Sequence, residues 1–377
     1  MVFDLFGSLR NITKLDKVCI DNNVFRLHYK VTVVMLVAAS ILVTGRQYFG
    51  DPIDCIQRDD IPQNVMDTFC WIHSTFTLPH ALNKKVGVDI VAPGVDSHAP
   101  GDKKVYHKYY QWVCFVLFIQ AIFFYIPRYL WKMWEGGRLR SLVLELNNPV
   151  MKADDKESQI QLLSTYMNNN ITYHNTYFYC FVFCEILNFI NVITQMYLVD
   201  AFLGGAFSTY GLDVLSYSEM DIDQRIDPMV KVFPRVTKCT FHRYGSSGDV
   251  QKHDSLCILP LNIINEKIYI FLWFWLVILA VISAGIVVWR VAIIFFPNLR
   301  FKSLASRARL ANRDNLQMFM DRAKVGDWFI MYLLAKNMDS LHYRELIREM
   351  AHQLNPTEGE KFRPDLSETG FNSSKSN

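Results

Sequence analysis

The stretch IYIFLWFWLVILAVISAGIVVWRVAIIFF, from Ile268 to Phe296, decides the fold. Its one charge, Arg290, lies near the end, and so long an apolar run does not belong to a soluble core. About 20 such residues cross the ~30 Å hydrocarbon layer as a helix, which satisfies its backbone hydrogen bonds internally. Three more runs of this kind precede it. The first is Val31 to Phe49, with Lys30 and Arg46 as anchors. The second is Gln111 to Leu130, in which Pro127 is expected to bend or end the helix. The third, Tyr177 to Leu203, is the least apolar, because it carries Glu185, Asn188, Asn191 and Gln195. Their spacing puts these groups near one helical face, which reads as hydrogen bonding between helices, with pore lining as the alternative. The expected fold is therefore an all-α membrane protein built on a four-helix transmembrane bundle.

The four runs divide the chain into 1–30, 31–49, 50–110, 111–130, 131–176, 177–203, 204–267, 268–296 and 297–377. Hydrophobic residues make up 51% of the chain, and they are concentrated in the runs rather than spread periodically. The net charge of +3 points to no nucleic-acid partner. Residues 1–30 carry Asp4, Arg10, Lys14, Asp16 and Lys17 ahead of any apolar run, unlike a signal peptide, so no cleavage is expected there. No phosphate loop, zinc-protease helix or nucleophile elbow occurs, and His73, His80, His98 and His107 follow no ligand spacing. Neither an enzyme nor a cofactor is expected.

Four of the eight cysteines form two pairs in the polar loops. Cys55 and Cys70 lie between runs one and two, and Cys239 and Cys257 between runs three and four. Loops one and three of a four-span chain emerge on the same side, so these thiols share a compartment. Disulfides require it to be oxidising, which makes the loops extracellular. Spacing leaves all three connectivities open. A zinc site at Cys239, His242, His253 and Cys257 has compatible spacing but explains only one pair. Segments 1–30, 128–176 and 297–377 are net positive and the cysteine loops net negative, which places both termini in the cytoplasm. The acceptor triplets at Asn11, Asn170 and Asn372 all fall on that inner side. Helices are expected at Lys156–Asn168, Trp328–Ala335 and Leu341–Leu354, and a disordered tail from about 355.

Tyr109-Tyr110-Gln111-Trp112-Val113 leads into the second run; taken alone it reads as an interfacial aromatic belt. The pentapeptide also resembles the signature of the innexins, the invertebrate gap-junction proteins. The likeness extends to Tyr48-x-Gly50-Asp51-Pro52-Ile53-x-Cys55, Thr68-Phe69-Cys70-Trp71-Ile72, Lys238-Cys239-Thr240-Phe241-His242 and Leu256-Cys257-Ile258-Leu259-Pro260. It runs from about Phe3 to about Arg348 and is strongest to insect innexins of the innexin-two type; innexin-like proteins of insect-associated viruses share it. The resemblance implies disulfides Cys55–Cys257 and Cys70–Cys239 and a small β content in the stapled outer region. It also implies a helical cytoplasmic dome and a short N-terminal helix, with Val2, Phe3, Asp4 and Phe6 as pore-lining candidates. The implied function is passive passage of ions and small molecules through hemichannels that dock across two cells. Each hemichannel would be an oligomer of this chain, octameric by resemblance, embedded in lipid and open to mixing with other innexins. A non-junctional release channel or an adhesion protein is the alternative.

Overall fold

The computed structural model describes residues 18–56, 61–99, 101–143, 146–148, 151–219 and 227–354. The longer helices are α1 (Asn23–Phe49), α2 (Gln63–His73), α3 (Val113–Glu135), α4 (Ala153–Asn169), α5 (Asn175–Phe202) and α6 (Phe207–Glu219). They continue with α7 (Pro260–Phe295), α8 (Pro297–Ala305), α9 (Arg313–Arg322), α10 (Val325–Asn337) and α11 (Ser340–Leu354). Helices α1, α3, α5 and α7 are long and apolar enough to cross a membrane. The strands are β1 (Asp54–Ile56), β2 (Thr75–Thr77), β3 (Val105–His107), β4 (Val236–Tyr244) and β5 (Val250–Ile258).

The long helices outrun the hydrophobic runs that announce them. α1 starts at Asn23, so Lys30 lies inside it, within a π-helical stretch from Leu27 to Thr32. The Thr32 hydroxyl donates to the Leu27 carbonyl at 3.0 Å, five residues back, which suits that wider turn. Pro127 does not end α3; the helix continues to Glu135. Proline removes one backbone donor, but beyond it Trp131 is fully buried against Tyr177 and Phe181, 5.0 and 4.9 Å between ring centres. That packing rewards continued helix.

The chain divides into two compact units. The first comprises Asn23–Arg128 and Leu187–Ala284. Its bundle core includes Leu36, Val43, Leu117, Phe124, Val192, Val199, Tyr269 and Leu276, all essentially inaccessible. Gly211 is required there, because a Cβ would sit 2.0 Å from the Trp273 ring. Beside this core lies one antiparallel sheet of order β1-β5-β4-β2-β3. The hairpin β4–β5 comes from the second cysteine loop, and the three flanking strands come from the first.

The second unit comprises Tyr129–Ile186, the residues from Gly285 onward and the segment just before Asn23. In it α4 and α9 pack on α11, and α8 packs on α10. Helices thus occupy the three segments where the sequence leads one to expect them. Asp327 joins two parts of this unit: its carboxylate accepts from His174 Nδ1 at 2.7 Å and from the Thr172 and Lys324 backbone N–H groups at 2.9 Å. Thr172 sits at φ 81°, a conformation that favours glycine, and this hydrogen bond helps hold it there. Gly326 closes the contact, since a Cβ would lie 2.2 Å from the His174 carbonyl carbon.

Candidate functional site: the cross-linked sheet and the Tyr109 motif

Cys55 on β1 stands directly opposite Cys257 on β5, and a disulfide joins them. Cys70, in the last turn of α2, is bonded to Cys239 on β4. All four are inaccessible and share a core with Ile53, Ile61, Met66, Tyr110 and Leu259. The bonds span sequence separations of 202 and 169 residues, so each ties one loop to the other. A cross-link over so long a loop contributes about 2–4 kcal/mol, chiefly by restricting the unfolded chain.

The zinc arrangement does not form. Register places Cys239 opposite Ser255, His242 opposite Lys252 and His253 opposite Phe241. Cys239 and His242 differ by an odd number of residues and so point to opposite faces of the strand. The sulfurs of Cys55, Cys70 and Cys257 do lie within 4.8 Å of one another. Their clustering follows from two adjacent disulfides, and a disulfide sulfur is not the thiolate a metal needs.

The Tyr109 motif links this sheet to the bundle. Residues Tyr109–Gln111 form a 3-10 turn, and Val113 begins α3. Tyr110 is buried in the disulfide core with its ring 4.7 Å from that of Trp71, and the Gln111 side-chain amide donates to the Trp71 carbonyl. Tyr109 donates to the Val232 carbonyl at 3.3 Å and packs edge-on against Phe202 and Phe233. Burial raises the pKa of both phenols, so both stay neutral. Of the motif's aromatic residues only Trp112 is exposed. The sequence suggests a membrane belt, whereas two of its three aromatic rings are internal struts.

Charges reinforce the same unit. Arg235 grips buried Glu266 through Nε and Nη2, at 3.0 and 2.9 Å. Lys84 reaches Asp96 at 2.5 Å; that contact, with the Ser97 N–H, holds the Asp96 carboxyl below its ordinary range. Lys238 donates to the Asp96 carbonyl at 2.7 Å and pairs with Asp254 at 3.0 Å, bridging the loops again. His107 is buried beside Thr77 at 2.8 Å, and burial pushes its pKa down to about 4.

The second unit holds a feature for which the sequence offers only half the signal. Arg290 donates to Glu185 through Nε at 2.6 Å and Nη2 at 3.0 Å. Asn22 adds a 2.5 Å hydrogen bond to Glu185, and the rings of Phe181 and Phe329 flank the guanidinium. The polar face containing Glu185 is legible, but its partner lies 105 positions away. The available clue is that Glu185 and the lone Arg290 are opposite charges in otherwise apolar runs. Asn188 and Gln195 are buried too, and Gln195 bonds Asn191 within its own helix at 3.3 Å. Val2, Phe3, Asp4 and Phe6 lie outside the described residues, as does the tail from 355. The first described residues are anchored: Cys19 exchanges hydrogen bonds with the Asn337 side chain, Ile20 accepts from Trp131 and Asp21 accepts from Lys336.

Four apolar helices and two loops knit into one disulfide-braced sheet define a membrane channel subunit of the gap-junction type. The innexin family pattern matches residues 21–354. Innexin inx2 of Drosophila melanogaster is 55% identical over 358 residues, covering 95% of this chain and 97% of that protein. Innexin inx2 of Schistocerca americana is 56% identical, covering 94% and 98%, and Innexin shaking-B of Drosophila melanogaster is 48% identical, covering 94% and 95%. The chain belongs to the innexin family. It is a multi-pass plasma-membrane protein and a self-associating gap-junction channel subunit, not an enzyme.

Proposed function

We propose that this chain forms an octameric hemichannel with both termini cytoplasmic, whose extracellular sheet docks on the sheet of a hemichannel in the neighbouring cell. The observation that carries this reading is the sheet itself, drawn from both loops and braced by Cys55–Cys257 and Cys70–Cys239. Docking requires loops of fixed shape before contact, and covalent bracing lowers the ordering entropy that association would otherwise cost. The pore wall near its cytoplasmic mouth is assigned to the N-terminal segment, with Val2, Phe3, Asp4 and Phe6 facing the ions. Selectivity then follows from pore width and wall charge, without chemistry. The chain suffices alone, and mixing with other innexins is a further capacity.

Paired cells that express only this chain test the proposal. Junctional conductance is expected between them, and Cys70→Ser is expected to abolish it while surface delivery persists. Unchanged coupling in that variant would remove the braced sheet from the docking step. Current across single-cell membranes without coupling would favour the non-junctional channel.

A further inference from the structure

Outside the sheet and the spans, the second unit contains an open polar cleft, a surface cavity of about 460 Å³ lined by Ser303, Ser306, Arg307, Arg309, Tyr332 and Ala335. Its volume falls within the ~300–1,000 Å³ of small-molecule sites. Its walls differ from those of a typical site: two guanidinium groups, two serines and a phenol face it, and alanine is the one apolar contributor. No carboxylate lines it, and neither Arg307 nor Arg309 forms an ion pair among the described residues.

The two cations are positioned by the protein rather than left to wander. Arg307 Nη2 donates to the Tyr332 hydroxyl at 2.8 Å, and its guanidinium lies 4.4 Å from the centre of that ring. Arg309 Nε donates to the Ser306 carbonyl at 3.3 Å, and the Ser306 hydroxyl donates to the Ser303 carbonyl at 2.8 Å. Each arginine keeps further N–H donors unused by these contacts. Planar forks of this kind match phosphate oxygens in pairs, which an ammonium group cannot do.

We propose that this cavity is a binding site for a phosphorylated ligand, of the size of an inositol polyphosphate headgroup, held by Arg307 and Arg309. Two sources could supply it: a soluble inositol phosphate, or the headgroup of a phosphoinositide lipid. The lipid source is physically accessible, because α8 starts two residues after α7 ends and its nine residues span only about 14 Å. Lys302 and Arg300 on α8 add to the positive field. The site stands on the geometry of the second unit; only its facing the inner leaflet rests on the cytoplasmic placement proposed above.

The test uses the purified full-length chain. Inositol trisphosphate is titrated in detergent, and nanodiscs carrying phosphatidylinositol bisphosphate are compared with phosphatidylserine nanodiscs of matched charge. Arg307→Gln with Arg309→Gln is expected to weaken binding about tenfold or more, as expected from the loss of charge-assisted hydrogen bonds. Lys302→Gln with Arg313→Gln, outside the cavity lining, should weaken it far less. The double Arg→Lys variant, which keeps charge and loses the forks, should fall between, and it serves if the Gln pair elutes as a disrupted oligomer. Tight binding to the soluble trisphosphate supports a soluble ligand; a preference for the bisphosphate nanodiscs supports the lipid. Absence of binding to every probe, or equal loss in the Lys302/Arg313 control, overturns the proposal.

Discussion

The two units of this chain solve one problem, holding distant segments together, by different chemistry. The first joins its loops with two disulfides and a five-stranded sheet. The second relies on buried ionic and hydrogen-bonded links, Glu185 with Arg290 and Asp327 with His174, and none of its described cysteines takes part in a disulfide. Covalent braces cost no desolvation and confer no pH dependence of their own, but they depend on redox conditions. Ionic links tolerate a reducing compartment but must overcome the cost of dehydrating each charge.

The contrast can be broken most severely in the second unit. Glu185→Ala strands the Arg290 guanidinium in a buried site and should cost about 3–5 kcal/mol. A lowered thermal midpoint of the purified protein would register it. Glu185→Met with Arg290→Met together should recover most of the loss, which a double-mutant cycle would quantify.

Next in size, Cys239→Ser should destabilise the first unit by about 2–5 kcal/mol and make its loops protease-sensitive. Reductant applied to the unmodified chain should have the same effect. Limited proteolysis should leave the α4–α11 packing of the second unit intact, since no disulfide supports it among the described residues.

Acid should sharpen the contrast from the other direction. His107 has its pKa lowered to about 4, so its neutral form is the one the fold accommodates. The unfolded chain takes up a proton near pH 6.5 and the folded chain does not until about pH 4. Stability present above pH 6.5 is therefore lost as pH falls through that window, by about 3 kcal/mol. His107→Gln should flatten the dependence, read as the midpoint of loop protection against pH. The smallest effect is expected for Asp227→Ala. Its side chain caps the short helix Pro228–Val232 by accepting from the Met229 N–H at 2.9 Å, and its removal should cost about 1 kcal/mol, visible as local hydrogen exchange.

Much of this architecture is legible from residue types alone. The four apolar runs announce the spanning helices, the proline- and glycine-free stretches Lys156–Asn168 and Leu341–Leu354 announce α4 and α11, and Trp328–Ala335 announces α10. Helix ends are less legible. α1 begins at Asn23 and α7 at Pro260, both upstream of their hydrophobic runs, because helix continues wherever side chains find partners, whether or not lipid surrounds them. Pro127 shows the same thing: the local penalty is real, and burial of Trp131 outweighs it. Tyr109 and Tyr110 are ambiguous in sequence because an aromatic ring at a membrane surface and one inside a core have the same composition.

By itself, the sequence determined that four segments are long and apolar enough to cross a membrane, since hydrophobic length is a local property that needs no partner. It also placed the cysteine pairs in one compartment, since an even number of crossings separates them. Only the tertiary structure decided that Glu185 meets Arg290, that Asp327 meets His174, and that Arg307 and Arg309 face one cavity with Tyr332. Such pairings depend on how elements far apart in sequence are brought together, and no local pattern of residues encodes which charge will find which.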